Sequence, residues 1–169
     1  MIKIMGTVAA LAASYAIAVP ASAAGSFHPP ASQTEKELDR MLHAADADDN
    51  ELNNIVHRPG SRQTRDYGTM LTPALIAAIR KTEMEWVRRD CGGKYRKGEE
   101  CGLDFLPLTC SQDVSQTYLY HTVLDLGSRV VIEYAWPQDG KRAATYTLLQ
   151  TPRGWRIDGI SCADGPSFN

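Results

Sequence analysis

The alternation of apolar and polar residues between positions 114 and 162 predicts an antiparallel sheet. Four stretches carry the alternation: Tyr118 to Leu126, Val130 to Trp136, Tyr146 to Leu149 and Trp155 to Ile160. Turn-forming residues rich in glycine, proline and serine separate them, which is typical of hairpin connections. A sheet that buries one face needs other elements packed against that face, and the rest of the chain must supply them as helices. The pattern therefore predicts the α+β class, with a curved antiparallel sheet packed on N-terminal helices.

Two segments upstream of the sheet have helical periodicity. Ser32 followed by Glu35 is a capping-box pattern, and the apolar positions after it predict a helix from Gln33 to Ala47. Thr72-Pro73 is typical of a helix start and opens an amphipathic stretch that ends at Cys91-Gly92-Gly93. We expect this second helix to lie on the sheet.

The residues between the two helices are acidic and polar. A calcium-binding EF-hand loop beginning at Asp46 would need glycine at its sixth position and glutamate at its twelfth, where this chain has Glu51 and His57. The sequence therefore predicts a solvated acidic turn here and no metal site. Asn53 to Thr64, which contains Pro59-Gly60, is predicted to be a loop.

The first residues have the layout of a secretory signal peptide. Lys3 precedes an apolar run from Val8 to Val19, and Ala21-Ser22-Ala23 is a small-residue cleavage pattern. The run is 12 residues long, and a membrane-spanning helix needs about 20. We expect residues 1–23 to be removed. An extended leader, the first helix and a loop then occupy 24–65, and 66–169 form the α+β domain, which the first helix completes.

The charge of the chain excludes some classes of partner. The formal net charge is −2, and loss of Lys3 with the signal peptide makes it −3. Neither value is typical of a protein that binds nucleic acid or an anionic membrane. We expect a periplasmic or secreted protein with no membrane span after cleavage.

Four cysteines lie in the second half of the chain. An even number in an exported protein indicates two disulfides, for which three pairings exist. We favour Cys91–Cys101, which closes a polar loop, and Cys110–Cys162, which joins the entrance of the sheet to the C-terminal tail. A zinc site is the rival interpretation, but no close Cys-x-x-Cys pair or suitably spaced histidine supports it.

Three motifs in order resemble a known family. They are Asp66-Tyr67-x-x-Met70-Leu71-Thr72-Pro73-x-Leu75, then Leu103-Asp104-Phe105-Leu106-Pro107-Leu108 followed by Gln112-Asp113, and finally Gly154-Trp155-Arg156-Ile157-Asp158-Gly159-Ile160. The chain is similar here to a bacterial exported family of unknown function with the cystatin-like fold of nuclear transport factor two. The resemblance implies a cone in which helices pack into the concave side of a curved sheet. Related folds often hold a pocket or a protein-binding face there, although fold alone does not assign function.

An enzyme would need an acid–base pair in such a cone. Asp104, Asp113 and His121 are the candidate catalytic residues, with tyrosines of the sheet as hydrogen-bond donors. Each also has a structural interpretation, because aspartates beside irregular backbone often bond nearby N–H groups and a lone strand histidine is usually structural. By alternation His121 shares a face with Leu119 and Val123, and we expect it to touch the core.

The absence of a nucleophile, phosphate-loop or metalloprotease motif favours binding over catalysis. The sequence predicts an exported interaction protein, such as an immunity or inhibitor protein for a secreted or cell-wall-acting enzyme. Candidate binding residues are Tyr118, Tyr120 and Gln112, and no cofactor is expected. The alternative is a protein that holds a small apolar ligand, or an isomerase-like enzyme, using a pocket in the cone.

Overall fold

The computed structural model describes residues 26–56, 66–113, 115–138 and 140–169. Within these residues, helices come first and strands follow: α1 (Gln33–Asp46), α2 (Glu51–Val56), α3 (Pro73–Cys91), β1 (Leu119–Asp125), β2 (Arg129–Ala135), β3 (Arg142–Thr151), β4 (Gly154–Cys162) and β5 (Ser167–Phe168). The strands form one curved sheet in which each is antiparallel to its sequence neighbours. The predicted α+β class and antiparallel sheet are confirmed. The predicted signal peptide lies outside the described residues.

Side-chain caps fix where the two long helices begin. The Ser32 hydroxyl accepts from the Glu35 N–H, and the Glu35 carboxylate accepts from the Ser32 N–H, so the predicted capping box is present. Thr72 caps α3 by accepting from the Leu75 N–H, and its own hydroxyl donates to Asp158 of β4 at 2.9 Å. The backbone of Thr72 also donates to Ile157, which ties the start of α3 to the middle of β4.

The loop predicted from Asn53 to Thr64 is wrong over its first four residues, which belong to α2. Six residues are too few to show a helical repeat, and asparagine-rich segments favour turns in isolation. The helix is held by tertiary contacts: Ile55 is buried in the core, and its carbonyl accepts from Arg80 of α3 at 2.9 Å. Residues 57–65 lie outside the described ranges.

In strand β1, the buried face is the one that carries Tyr120, and the face that carries His121 points outward. Tyr118 and Tyr120 point into the core, whereas His121 lies on the outer face with its ring against Phe27. The expectation that His121 touches the core is therefore wrong. Both faces of β1 carry apolar residues, so alternation within this strand could not predict which face is buried. The neighbouring strand β2 determines the buried face, since its Tyr134 pairs with Tyr120 and is also buried.

Both ends of the sheet have short additions that the pattern did not predict. The leader joins the free edge of β1, where His28 and Tyr120 exchange backbone hydrogen bonds of 3.0 and 2.7 Å. At the other edge β5 pairs with β4 and buries Phe168. Both additions protect edge backbone groups that would otherwise be open to another strand.

All four cysteines form the two disulfides that the sequence favoured, Cys91–Cys101 and Cys110–Cys162. The first closes the polar loop after α3. The second joins the irregular segment before β1 to the end of β4, 52 residues further along the chain. Disulfide-bonded cysteines are typical of an oxidising compartment. In the described residues, no helix is both long and apolar enough to cross a membrane.

The two disulfides should contribute unequally to stability. The chain-entropy relation gives about 4 kcal/mol for the Cys110–Cys162 link and about 2.7 kcal/mol for the Cys91–Cys101 link, because the first closes the longer loop. We expect the Cys110→Ser/Cys162→Ser variant to lose more unfolding free energy in urea than the matched Cys91→Ser/Cys101→Ser variant. Equal losses, or the reverse order, would contradict this ranking.

Candidate functional site

Two neighbouring cavities at one end of the sheet share Trp136 and Ser111 and together form the candidate site. Their volumes are about 530 Å³ and about 610 Å³. We call this surface the Trp136 groove. Its walls come from α3, from residues 104–113 and 115–117, from the β2–β3 connection and from the turn after β4. The side chains used below are Trp86, Asp104, Phe105, Ser111, Gln112, Asp113, Trp136, Lys141, Arg142 and Asp164.

Aromatic rings connect the groove to the core. Trp136 is half-buried, and its ring lies 5.9 Å from that of Tyr118 and 5.6 Å from that of Tyr134 between centroids. Across the groove, Trp86 and Phe105 meet edge to face at 6.2 Å. These distances are within the range of favourable aromatic pairs. The rings therefore offer apolar contact area that is held rigid from behind.

Charged and polar side chains stand along the rim. Arg142 reaches Glu133 at 3.3 Å, and the Gln112 amide donates to Asp104 at 3.3 Å. Lys141 and Asp164 also line the first cavity, and both are exposed. The rim thus presents both signs of charge around an aromatic floor, which is the composition typical of protein-recognition surfaces.

The inner wall of the groove is an irregular segment, residues 102–113, in which side chains bond to buried backbone groups. Tyr146 of β3 donates to the carbonyl of Leu108, and Tyr134 of β2 donates to the carbonyl of Thr109. The buried carboxylate of Glu51 in α2 accepts from the Leu108 N–H at 2.9 Å. Such bonds substitute for the ladder that a strand would have made, because a buried backbone group without a partner is costly.

A second buried glutamate anchors the start of the same segment. Glu83 of α3 accepts from the Leu103 N–H and from the Tyr95 hydroxyl, both at 2.6 Å. Gly102 has a φ of 88°, and a Cβ there would stand 2.2 Å from a Glu83 oxygen. Only glycine can therefore occupy this position while Glu83 keeps its bonds.

Burial changes the acid–base properties of this interior. Burial raises the pKa of Glu51 to about 8, against the lowering effect of the Leu108 N–H, and the nearby Asp46 and Asp48 raise it further. Burial also raises the pKa of Asp46, although the bond from Tyr118 opposes the shift. Burial likewise raises the phenol pKa values of Tyr118, Tyr120, Tyr134 and Tyr146. The tyrosines therefore act as neutral hydrogen-bond donors.

The structure separates the candidate catalytic residues. Asp104 lines the first cavity of the groove and Asp113 the second, and both are exposed. His121 lines neither cavity and lies on the outer face of the sheet. The Asp113 N–H donates to the Ser111 hydroxyl at 3.0 Å, so the Asp113 backbone takes part in a local turn. The three side chains do not form one acid–base constellation.

The candidate binding residues also separate. Gln112 stands on the rim of the groove. Tyr118 and Tyr120 are 2% and 0% exposed, and their hydroxyls donate to Asp46 and Asp39 of α1. These two rings therefore fill the face of the sheet that packs against α1 and are not part of the outer surface.

No protein-family profile, curated protein or solved structure matches this chain. The function must therefore be inferred from the chemistry of its own residues.

One group of described residues brings three metal-type ligands close together, namely Cys91, Glu99 and Cys101, whose donor atoms lie within 4.8 Å of one another. Both sulfurs belong to the Cys91–Cys101 disulfide, and a metal would need them as thiolates. This group is therefore a disulfide with a neighbouring carboxylate.

Sequence reasoning missed the two buried glutamates, although a signal for one was present. Glu83 lies in the apolar stripe of α3, four residues after Ile79 and four before Val87. A charged residue at such a position predicts a buried partner. Glu51 has no such signal, because its burial depends on Leu108, 57 residues later.

The tyrosine bonds to the groove wall can be tested by removing one hydroxyl. Tyr146→Phe leaves the Leu108 carbonyl without its donor in a buried site, and we expect a loss of about 1–1.5 kcal/mol of unfolding free energy. Tyr120→Phe is the matched control, because the side chain of its acceptor Asp39 is 25% exposed and can bond water. Urea denaturation of both variants measures the difference. A smaller loss for Tyr146→Phe than for Tyr120→Phe would contradict this role.

Proposed function

We propose that this chain is an exported protein that binds a protein partner through the Trp136 groove, as an immunity or inhibitor protein for a secreted or cell-wall-acting enzyme. The observation that carries the proposal is the groove itself, in which a rigid aromatic floor is surrounded by exposed groups of both charges. Aromatic residues and arginine supply most of the binding energy in protein interfaces. The two disulfides and the signal-peptide pattern support export.

The interior of the proposed cone is filled with side chains, which favours a protein-binding groove over a ligand pocket in the cone. Tyr120, Tyr134 and Tyr146 are each 0% exposed and occupy the space where a ligand would lie. The groove outside is open along its rim, where Asp104, Gln112 and Arg142 are exposed. Small-molecule sites bury most of their ligand, whereas protein partners dock on open surfaces of this kind.

The order of helices and strands also bears on the fold family. We propose that the helices and sheet form a cystatin-like cone and that the chain belongs to the exported family its motifs resemble. Helices that precede a curved antiparallel sheet are compatible with that arrangement, and the interior of the cone is then structural.

The partner proposal can be tested with matched baits. The mature protein is immobilised, and so are two groove variants, Trp136→Ala and Arg142→Glu. Two control variants, Trp155→Ala and Arg129→Glu, are immobilised in the same way. Trp155 is half-buried and Arg129 is exposed, and both lie outside the two cavities. Periplasmic and secreted proteins are passed over each bait and quantified by mass spectrometry. We expect one protein to be held by the wild type and both controls but lost from both groove variants.

The captured protein is then purified and titrated directly. Truncating a tryptophan anchor at an interface costs about 2 kcal/mol or more, which is about 30-fold in Kd. We expect at least that loss for Trp136→Ala and little change for Trp155→Ala. A partner that binds the groove variants and the wild type equally would overturn the assignment of the site.

A further inference from the structure

Glu51 of α2 is an acidic side chain in a fully buried position. It is 1% exposed, and its Oε1 accepts from the Leu108 N–H at 2.9 Å. Its other oxygen, Oε2, is buried and has no hydrogen-bond partner. In the described part of the chain, no ion pair reaches Glu51. An ionised Glu51 would therefore hold its charge away from both water and a cation, which is costly.

Acidic groups act on Glu51 from the residues before α2. Asp46 stands at the end of α1 and Asp48 between the two helices, and both raise the pKa of Glu51. His43 of α1 acts on Asp46. Burial is the larger cause, and it raises the pKa of Glu51 to about 8 against the opposing effect of the Leu108 N–H. At neutral pH the side chain is therefore a neutral acid.

Titratable groups also face Glu51 from β3 and across the cavity beside α2. They are Tyr146, Glu83, Tyr95 and Asp49. None of these side chains can carry a positive charge. The arginine of α3 that bonds to α2 is Arg80, and its partner is the Ile55 carbonyl near the opposite end of the helix. The surroundings of Glu51 therefore favour the protonated form.

The Glu51 carboxyl group connects α2 to the wall of the Trp136 groove. Leu108 belongs to residues 102–113, and Ser111 and Gln112 of the same segment line the groove. Helix α2 has six residues, and a helix of that length depends on tertiary contacts. The bond between Glu51 and Leu108 is therefore one of the contacts that keep the helix and the groove wall together.

We propose that protonation of Glu51 regulates the Trp136 groove. This inference rests on the proposed function, because the regulated surface is the one proposed to bind a partner. With its proton, Glu51 holds Leu108 and keeps the groove wall in place. In alkaline solution the proton leaves, the charge draws the side chain towards water, and the groove binds more weakly.

The cavity beside α2 provides the water. Its volume is about 600 Å³, and Glu51 lines it together with Leu106 of the groove wall. An ionised Glu51 regains hydration by turning into this space, and it then releases the Leu108 N–H. A buried N–H without a partner is costly, so the wall rearranges around Leu108.

The first test measures the titration directly on the wild-type mature protein. Glutamate labelled with ¹³C at the side-chain carboxyl carbon is incorporated, and NMR spectra are recorded from pH 4 to pH 10. We expect one glutamate to titrate above pH 7, and its signal should be missing from Glu51→Gln. The amide signals of Leu108, Ser111 and Gln112 should shift with the same midpoint. Titration of Glu51 below pH 6, or groove-wall signals that do not follow it, would overturn the proposal.

The second test uses stability, and linkage gives its sign. The carboxyl group has its ordinary pKa of 4.5 in the unfolded chain and a raised pKa in the folded one. Between those values the unfolded state loses its proton and the folded state keeps it, so the wild type loses stability as the pH rises. In urea, the unfolding constant of the wild type relative to that of Glu51→Gln should grow about tenfold per pH unit from about pH 5 to pH 8.

Glu85→Gln is the matched control for this measurement. The Glu85 side chain is 51% exposed, so its charge faces water in the folded and the unfolded chain. The unfolding constant of the wild type relative to that of Glu85→Gln should stay level with pH. A level ratio for Glu51→Gln as well would contradict the proposal. If Glu51→Gln does not fold, the NMR titration of the wild type still decides, because Glu51 can be assigned through its own backbone signals.

The third test asks whether the proton affects binding. The protein captured by the Trp136 groove is titrated at pH 7 and at pH 9.5. We expect the Kd of the wild type to rise at least tenfold more than that of Glu51→Gln, which stays neutral at both values. An equal change in both proteins would overturn the regulation while leaving the proposed function intact. Failure to capture any partner would contradict the proposed function, whereas the NMR titration would still test the groove wall.

Discussion

The structure depends on satisfying the buried backbone groups of residues 102–113, a segment that has no regular secondary structure. Leu103, Leu108 and Thr109 of this segment are buried, where water cannot bond their amide groups. Glu83 and Glu51 accept from the N–H groups of Leu103 and Leu108, and two sheet tyrosines donate to the carbonyls of Leu108 and Thr109. The Cys110–Cys162 disulfide closes the segment onto β4. Since these partners come from α2, α3, β2, β3 and β4, the segment is where the helical layer and the sheet are joined.

This junction also positions the groove. Asp104, Phe105 and Gln112 line the groove and belong to the anchored segment, whereas Trp136 follows the end of β2 and Trp86 comes from α3. Side chains on an irregular segment would ordinarily be mobile, but here α2, α3, β2, β3 and β4 each contribute a bond to the segment. A rigid surface loses less conformational entropy on binding, which favours recognition by a preformed site.

Patterns of neighbouring residues predicted the features that depend on neighbouring residues. Ser32 and Thr72 are helix caps because of the residues beside them, the strands follow from alternation, and the disulfides follow from an even cysteine count in an exported chain.

The features that the sequence could not predict depend on distant residues. The inward face of β1 is set by Tyr134 on the neighbouring strand, α2 is set by packing against α3, and the acceptors of Tyr134 and Tyr146 are backbone carbonyls. The candidate site was predicted only in part: Asp104, Gln112 and Asp113 do lie at one groove, but its central residue, Trp136, was not among the predicted site residues.

Amide hydrogen exchange measured by NMR tests most directly whether side chains hold the irregular segment. We predict that the amides of Leu103 and Leu108 exchange as slowly as those of central strand residues such as Ile132 and Tyr146, because buried carboxylates hold them. Residues 94–100 are exposed and provide the comparison for an unprotected loop. If Leu103 and Leu108 exchange as fast as that loop, the carboxylate anchors are not formed in solution and the account of the groove is wrong.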